Sequence, residues 1–292
     1  MYYVLYGFLW LLSLLPLRVL YLLSDFVYFI FYYITGYRKK VVFQNLKQAF
    51  PDKTEEERKI IAKKFYHNLV DTFVETIWMI STPTRRIEKR VTGNWEEINQ
   101  FYDSGKSVQV HLGHNFNWEW GNDILPSKTP FRILVVYMPV ANKAIDRIFL
   151  KMRTRNGVAM LPATNMRESF MPFRNSQYLI GLAADQNPGE PRNAYWFNFF
   201  GRPTPFVKGP ARAAIANKTE VVFAFISKPK RGHYQGNIKA SRINTETTSE
   251  EELTRLFVRY LEEVIRNYPE MWLWSHRRWK WEWKEEYGPI LD

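Results

Sequence analysis

The chain begins with a stretch that is apolar almost throughout, MYYVLYGFLWLLSLLPLRVLYLLSDFVYFIFYYI, and turns polar at TGYRKK. As one helix it would be about 50 Å long, more than the roughly 30 Å hydrocarbon core of a bilayer. Pro16 is expected to kink it, and Arg18 and Asp25 fall on one helical face, which is costly in lipid. The pattern predicts a hydrophobic membrane anchor over residues 1–35, either a tilted span or a re-entrant, in-plane segment. A buried hairpin of the globular core is the alternative.

Two later segments repeat apolar residues at helical spacing. The first follows Thr54 and Glu57, which match a capping box, and has apolar residues at 61, 65, 69, 73 and 77. The second follows Ser249 and Glu252, which match the same pattern, and ends before Pro269. Both segments are therefore predicted to be amphipathic helices whose N-termini are closed by capping boxes.

Between these helices, short apolar runs predict β-strands: SVQVH, FRILVVYM, YLIGLAA and VVFAFIS. Helix-like stretches separate them, as in ANKAIDRIFLKMRTR and in GPARAAIAN, where Pro210 suits a first helical turn. This alternation predicts the α/β class, with a central mixed sheet flanked by helices. The sequence has no convincing interdomain linker, so residues 36–292 are expected to form one domain.

Composition narrows the possible environments and partners. Aromatic residues make up 17% of the chain, which fits work at a lipid boundary. The absence of cysteine excludes disulfides, thiolate metal sites and a cysteine nucleophile. The net charge of +12 favours acidic partners, namely anionic headgroups, phosphorylated substrates, acidic carrier proteins or nucleic acid. Arg38, Lys39 and Lys40 follow the apolar stretch and predict, by the positive-inside rule, a cytoplasmic domain.

The segment HLGHNFNWEW, residues 111–120, holds the strongest candidate chemistry. His114 lies on the turn between a predicted strand and a predicted helix, where ligand-binding groups gather in α/β sheets. If the chain bends there, Glu119 could hold one ring nitrogen while the other acts as a general base in a cleft. Two alternatives remain: a zinc site with His111, although no His-Glu-x-x-His order is present, and a structural histidine bonded to backbone.

Companion motifs place this segment in a known family. They are NLKQAFPDKTEEER, HNFNWEWG, ADQNPG followed by FNFFGRPTPFVKGPARAA, and PEMWLWSHRRWK. With these motifs in this order, the chain resembles the lipid A biosynthesis acyltransferases, the late lauroyl/myristoyl enzymes of the lysophospholipid acyltransferase superfamily. The resemblance extends from about residue 40 to residue 280.

The resemblance implies a membrane-bound O-acyltransferase at the cytoplasmic face of a bacterial inner membrane. The acyl donor would be an acyl-carrier-protein thioester, the acceptor a hydroxyl of a lipid A precursor, and no metal or other cofactor would be needed. By motif, His114 would deprotonate the hydroxyl with support from Glu119. Arg153 or Arg155 would grip phosphate or stabilise oxyanion charge, and Asp185 would order the site. Lys208 departs from the family pattern, where a small hydroxyl residue is usual.

The C-terminal segment WLWSHRRWKWEWK alternates aromatic and basic residues. Such a pattern can stack on single-stranded nucleic acid, but beside an apolar anchor it better fits a headgroup-level belt or a half-buried strand. Arg277 and Arg278 are expected to engage phosphates of the acceptor. Three other functions stay open: acylation of a different lipid, a membrane-associated glycosyltransferase without an Asp-x-Asp motif, and a non-catalytic lipid-binding protein.

Overall fold

Strands alternate with helices through the middle of the chain, as its hydrophobic pattern predicts. The computed structural model describes residues 1–291. The helices are α1 (Tyr2–Ser13), α2 (Leu17–Phe29), α3 (Lys39–Ala49), α4 (Glu55–Met79), α5 (Thr84–Glu88), α6 (Glu96–Asn99), α7 (Trp118–Lys128), α8 (Lys143–Arg153), α9 (Met166–Phe170), α10 (Gly209–Ala216) and α11 (Glu250–Asn267). The strands are β1 (Val91–Gly93), β2 (Val108–Leu112), β3 (Arg132–Tyr137), β4 (Ala159–Pro162), β5 (Tyr178–Ala183), β6 (Ala194–Phe199), β7 (Arg202–Val207), β8 (Glu220–Lys230), β9 (His233–Ala240) and β10 (Ile290–Leu291).

The central sheet has seven strands in the order β1-β9-β8-β2-β5-β3-β4. All neighbours pair in parallel except β8 and β9, which pair antiparallel. The four strands predicted from apolar runs are present as β2, β3, β5 and β8. The predicted α/β class with a central mixed sheet flanked by helices is therefore confirmed.

A second sheet of three strands, β10-β6-β7, was not predicted. Its strands β6 and β7 carry buried aromatic residues and do not alternate apolar with polar positions. Pro203 and Pro205 also interrupt β7, and proline within a run argues against a strand. In this sheet, β6 and β7 pair antiparallel from Ala194 with Val207 to Phe199 with Arg202.

The two predicted capping boxes differ in how many of their two hydrogen bonds are formed. At the start of α4, the Thr54 side chain accepts from the Glu57 backbone N–H while the Glu57 side chain accepts from the Thr54 N–H, so this box is confirmed. At the start of α11, Ser249 accepts from the Glu252 backbone N–H at 3.1 Å. The reciprocal bond is not made, because the Glu252 carboxylate pairs with Arg255 one turn later. The second box is therefore only half formed.

The N-terminal apolar segment is helical and breaks at Pro16, between α1 and α2. The helix α2 continues as a π-helical turn over Ile30–Ile34. Together, Leu17–Ile34 is long and apolar enough to cross a membrane, by length and composition. Only 22% of it is buried, so the buried-hairpin alternative is wrong. One face of α2 is nevertheless bonded to α4, through Tyr21 Oη to Glu75 Oε1 at 2.6 Å and Ser24 Oγ to Asp71 Oδ1 at 2.7 Å. The proposed boundary at residue 35, and whether the anchor spans the bilayer, stay predictions.

Candidate active site

The carboxyl ends of β2 and β5 meet at one edge of the central sheet. These strands are parallel neighbours in which Leu112 pairs with Ala183. His114 and Asp185 each lie two residues beyond those partners, so the register brings them side by side. The carboxyl ends of strands in an α/β sheet are where ligands usually bind.

Asp185 holds His114 by two hydrogen bonds. The Nδ1 atom of His114 lies 2.5 Å from Asp185 Oδ1, and the His114 backbone N–H donates to Oδ2 at 2.8 Å. The indole N–H of Trp272 donates to the same Oδ2 at 2.7 Å. The His114 side chain keeps 24% of its surface exposed, and within residues 1–291 its Nε2 has no hydrogen-bond partner. The imidazole is therefore fixed on one side and open on the other.

Burial and charge give this pair opposite pKa shifts. Burial raises the pKa of Asp185, but the adjacent imidazole and the three donated hydrogen bonds outweigh it and lower this pKa to about 2. Burial also lowers the pKa of His114, but the Asp185 carboxylate outweighs it and leaves this pKa above its ordinary value. The carboxylate thus stabilises a protonated imidazole, which a general base needs after it has taken a proton.

Glu119 does not bond His114, so the predicted contact within the motif is wrong. Glu119 lies in the first turn of α7 and pairs with Arg153 at the end of α8, with Nη2 to Oε1 at 2.5 Å and Nε to Oε2 at 2.9 Å. The physical reason is direction: the helix aims Glu119 at α8, whereas the turn aims His114 across at β5. Burial lowers the pKa of Arg153, but the hydrogen bonds and charge of Glu119 outweigh this and raise it.

The two candidate arginines of α8 and its end have different environments. Arg153 bonds Glu119 in the motif, and its side chain is 18% exposed. Arg155 donates two bonds to Asp123, at 2.6 and 2.7 Å, and a third to the Met79 carbonyl at 2.5 Å. All three Arg155 nitrogens therefore have protein partners that connect α4, α7 and the end of α8. This contact set fits a structural arginine, and Arg153 is the one next to the motif.

Arg277 and Arg278 also differ. Arg277 is exposed, whereas Arg278 is fully buried and donates to Asn187 Oδ1 at 3.0 Å and to the Pro205 carbonyl at 2.8 Å. Burial lowers the pKa of Arg278 to about 9. Its guanidinium joins the loop after Asp185 to β7, and the side chain has no exposed surface. The predicted phosphate contact therefore fits Arg277 alone and stays a prediction.

His111 lies within β2 and is separate from the site. Its ring is buried, contacts the Gln109 side chain at 3.0 Å, and burial lowers its pKa to about 3. The lowered pKa keeps this histidine neutral inside the strand. Across residues 1–291, no three His, Asp or Glu side chains converge in a way that could hold a metal ion.

Three supporting residues were missed as part of the site. Trp272 donates to Asp185 from the C-terminal segment, whose aromatic and basic pattern predicts contacts with lipid or phosphate and not with Asp185. Asn117 caps α7 by accepting from the Trp120 N–H at 3.4 Å, and donates to the buried Glu75 at 2.8 Å. Asn117 lies inside HLGHNFNWEW and Trp272 inside PEMWLWSHRRWK, so membership of these two motifs could have indicated both residues. Glu75 has no sequence signal beyond being an acidic residue in an amphipathic helix.

An imidazole oriented by a buried carboxylate, with its second nitrogen open, is the arrangement used by enzymes that take a proton from a substrate. Comparison with known proteins then gives the family. A family model described as "Bacterial lipid A biosynthesis acyltransferase" matches residues 1–281. The chain therefore belongs to this family and is an acyltransferase.

Individual relatives agree with the family match. The chain is 24% identical over 278 residues to a lipid A biosynthesis lauroyltransferase of Escherichia coli K12, covering 94% of this chain and 89% of that protein. It is 23% identical over 285 residues to a lipid A biosynthesis palmitoleoyltransferase of the same organism, with the same coverage. A lipid A biosynthesis acyltransferase of Haemophilus influenzae is 24% identical over 250 residues, 83% of this chain and 78% of that protein.

Proposed function

We propose that this protein is a membrane-bound O-acyltransferase that moves a fatty acyl chain from an acyl-carrier-protein thioester to a hydroxyl of a lipid A precursor. The family match and the names of the relatives support the reaction and the acceptor class. The observation that carries the chemistry is the His114–Asp185 pair with Nε2 open.

In the proposed step, His114 Nε2 takes the proton of the acceptor hydroxyl as that oxygen attacks the thioester carbonyl carbon. The imidazolium is stabilised by Asp185 on its Nδ1 side. The tetrahedral intermediate then collapses with cleavage of the C–S bond, and the imidazolium returns its proton to the leaving sulfur. The products are the new ester and the free thiol of the carrier, so protons and electrons balance.

Glu119 and Arg153 act as positioning residues in this proposal. The Trp118 indole N–H donates to Glu119 Oε1 at 3.1 Å, and its ring lies edge-on to the His114 ring with centroids 5.7 Å apart. The Glu119–Arg153 pair therefore fixes a side chain that packs against the base. Restricting the imidazole in this way favours one productive orientation.

The donor is proposed to approach through a cavity of about 590 Å³ beside the Asp185 loop. Its charged lining residues are Glu190 from that loop, Lys208 just before α10 and Arg212 within α10. Lys208 also lies over the Tyr195 ring, 4.3 Å from its centroid. Arg212 pairs with Glu250 at 3.3 Å, so Lys208 is the cation proposed to meet the phosphodiester of a carrier's pantetheine arm or the acidic carrier itself.

The membrane attachment is proposed to run through the apolar face that α1 and α2 expose, which includes Leu22 at 70% and Phe26 at 61% exposure. Arg38, Lys39 and Lys40 follow this segment, which supports a catalytic domain at the cytoplasmic face of a bacterial inner membrane.

The test is acyl transfer by the purified full-length enzyme with an acyl-carrier-protein thioester and a lipid A precursor, followed by mass spectrometry of the product. His114→Ala is expected to keep the fold and the membrane attachment but to lose transfer. Retained activity in His114→Ala would remove the general-base assignment. In cells, loss of the gene should remove one secondary acyl chain from lipid A, and an unchanged profile would point to another acceptor.

A further inference from the structure

A cavity of about 530 Å³, lined by no residue of the motif, lies where the α1–α2 turn meets the end of α4 and α5. Leucine side chains of the turn and the ring of Trp78 form an apolar wall. Three arginines also line it: Arg18 from α2, Arg86 from α5 and Arg90 just after α5. Its lining contains no aspartate or glutamate.

The charges of this cavity are not neutralised within the protein. The charges of Arg18 and Asp25 sum to zero in the sequence, but Asp25 does not neutralise Arg18 in the fold. Asp25 is paired with Arg231 at 2.7 Å, and Arg231 also bonds Asp71. In the part of the chain that the structure covers, neither Arg18 nor Arg86 has an ion pair or a side-chain hydrogen bond. Arg90 donates to the Gly232 carbonyl at 3.3 Å and lies over the Trp78 ring, which orients it without neutralising it.

The cavity also lies beside exposed apolar side chains. Leu14 and Leu15 on the same turn and Val19 at the start of α2 are 54%, 37% and 44% exposed. If these side chains enter lipid, Arg18 lies at the boundary, because a long cationic side chain carries its charge to the headgroup level. The three guanidinium groups would then face the layer in which lipid phosphates lie.

We propose that this cavity binds the phosphate group of an anionic membrane lipid. Guanidinium groups bind phosphate oxygens by paired hydrogen bonds, and the apolar wall would contact the adjoining chains. The phosphate has two possible sources, a bilayer phospholipid or the phosphorylated acceptor itself. The inference rests on the proposed membrane attachment and does not depend on the catalytic assignment.

Vesicle binding of the full-length protein tests the first source. The probe is phosphatidylcholine vesicles with and without phosphatidylglycerol, at one ionic strength, and the variants are Arg18→Gln and Arg86→Gln. The matched control is Arg85→Gln, an exposed neighbour on α5 that does not line the cavity. Each cavity variant is expected to lose about fivefold in binding to the anionic vesicles, the contribution of one basic residue at such a surface. The control should lose less.

Kinetics in neutral detergent micelles test the second source. If the cavity holds a phosphate of the acceptor, Arg18→Gln and Arg86→Gln raise the KM for the phosphorylated acceptor but not for its dephosphorylated form. If it holds a phospholipid, this KM is unchanged and only vesicle binding weakens. Either result supports a phosphate site, and unfolding temperatures confirm that the exposed substitutions leave the fold intact.

The inference is overturned if both cavity variants match Arg85→Gln in vesicle binding and in KM. Its failure can be distinguished from failure of the proposed function. A wild-type protein that transfers no acyl group would refute the function, while the vesicle comparison would still report on the cavity.

Discussion

Carboxylates are buried at two places in this enzyme, at Asp185 and on α4, and their hydrogen-bond partners differ. Asp185 accepts three hydrogen bonds, but the imidazole it holds keeps one nitrogen open. Asp71 and Glu75 of α4 are also buried, and their partners join separate elements of the fold. Asp71 bonds Ser24, Lys228 and Arg231, whereas Glu75 bonds Tyr21, Tyr234 and Asn117.

The difference shows that burial and a shifted pKa do not by themselves identify a catalytic acid. Burial raises the pKa of Glu75, as it would for many catalytic carboxylates, yet every donor around it belongs to the protein. What separates Asp185 is that its charge acts on an atom that substrate can reach. Asp71, Glu75 and the side chains that bond them form what we call the α4 network. This network joins the apolar helix α2, the β8–β9 hairpin and the cap of α7.

The largest expected effect comes from Asp185→Asn, which removes the carboxylate but keeps the shape. We expect kcat/KM to fall on the order of 10³–10⁴-fold, because the imidazolium loses its counter-charge and its orientation. Since Asp185 raises the pKa of His114, the variant should also have a lower pKa at this base. Its residual activity should therefore rise with pH at a lower pH than in the wild type. A pH profile of kcat/KM measures both effects, and an unchanged acidic limb would contradict the assignment.

In the α4 network, Glu75→Ala is expected to reduce stability by about 3 kcal/mol or more. It leaves the two tyrosine hydroxyls and the Asn117 amide without their acceptor in a buried site. Chemical unfolding in detergent gives the free energy, and Glu75→Gln, which retains an acceptor oxygen, is the matched control. If Glu75→Ala were fully stable but inactive, Glu75 would belong to the chemistry and the contrast with Asp185 would be lost.

Glu119→Gln tests the pair that the motif suggested for direct catalysis. As a positioning residue, Glu119 should affect the rate by on the order of 10²-fold at most, without moving the acidic limb of the pH profile. Glu119→Ala and Arg153→Ala should be non-additive in a double-mutant cycle, because each removes the same salt bridge. A shift of the acidic limb in Glu119→Gln would instead indicate that Glu119 acts directly on the pKa of His114.

The smallest expected effect is at the rim of the proposed donor cavity. Lys208→Gln should raise the KM for the acyl-carrier-protein thioester by up to about fivefold and leave kcat unchanged, as for loss of one exposed ion pair. Because surface charges are screened by salt, the difference should vanish at high ionic strength. A KM effect that is independent of salt would indicate a contact other than charge.

The sequence predicted the central sheet and the candidate base His114, but it paired that histidine with the wrong carboxylate. Sequence spacing favours Glu119, five positions from His114. The bond to Asp185 depends on strand order, because β5 lies between β2 and β3 although it follows β3 and β4 along the chain. Local periodicity carries no information about such an insertion. The motif order could nominate Asp185 as a site residue, but not its partner.

Dependence on tertiary contacts also explains why the sequence did not predict the three-stranded sheet or the hydrogen bond from Trp272 to Asp185. The strands β6 and β7 pair with each other, β6 also pairs with β10, and their aromatic side chains are buried without an alternating pattern. The fully buried Trp272 has a single polar atom, and its bond to Asp185 joins residues 87 positions apart. Contacts of this kind depend on the complete tertiary structure.

The bond from Trp272 to Asp185 has a consequence for the order of events during synthesis. The apolar helices α1 and α2 precede every strand of the two sheets along the chain, so they are synthesised before the site's residues. The indole that completes the carboxylate's shell emerges only after more than nine-tenths of the residues described here. A chain that ends before Trp272 would therefore lack one of the three hydrogen bonds to Asp185, so the proposed site is complete only once the C-terminal segment has been synthesised.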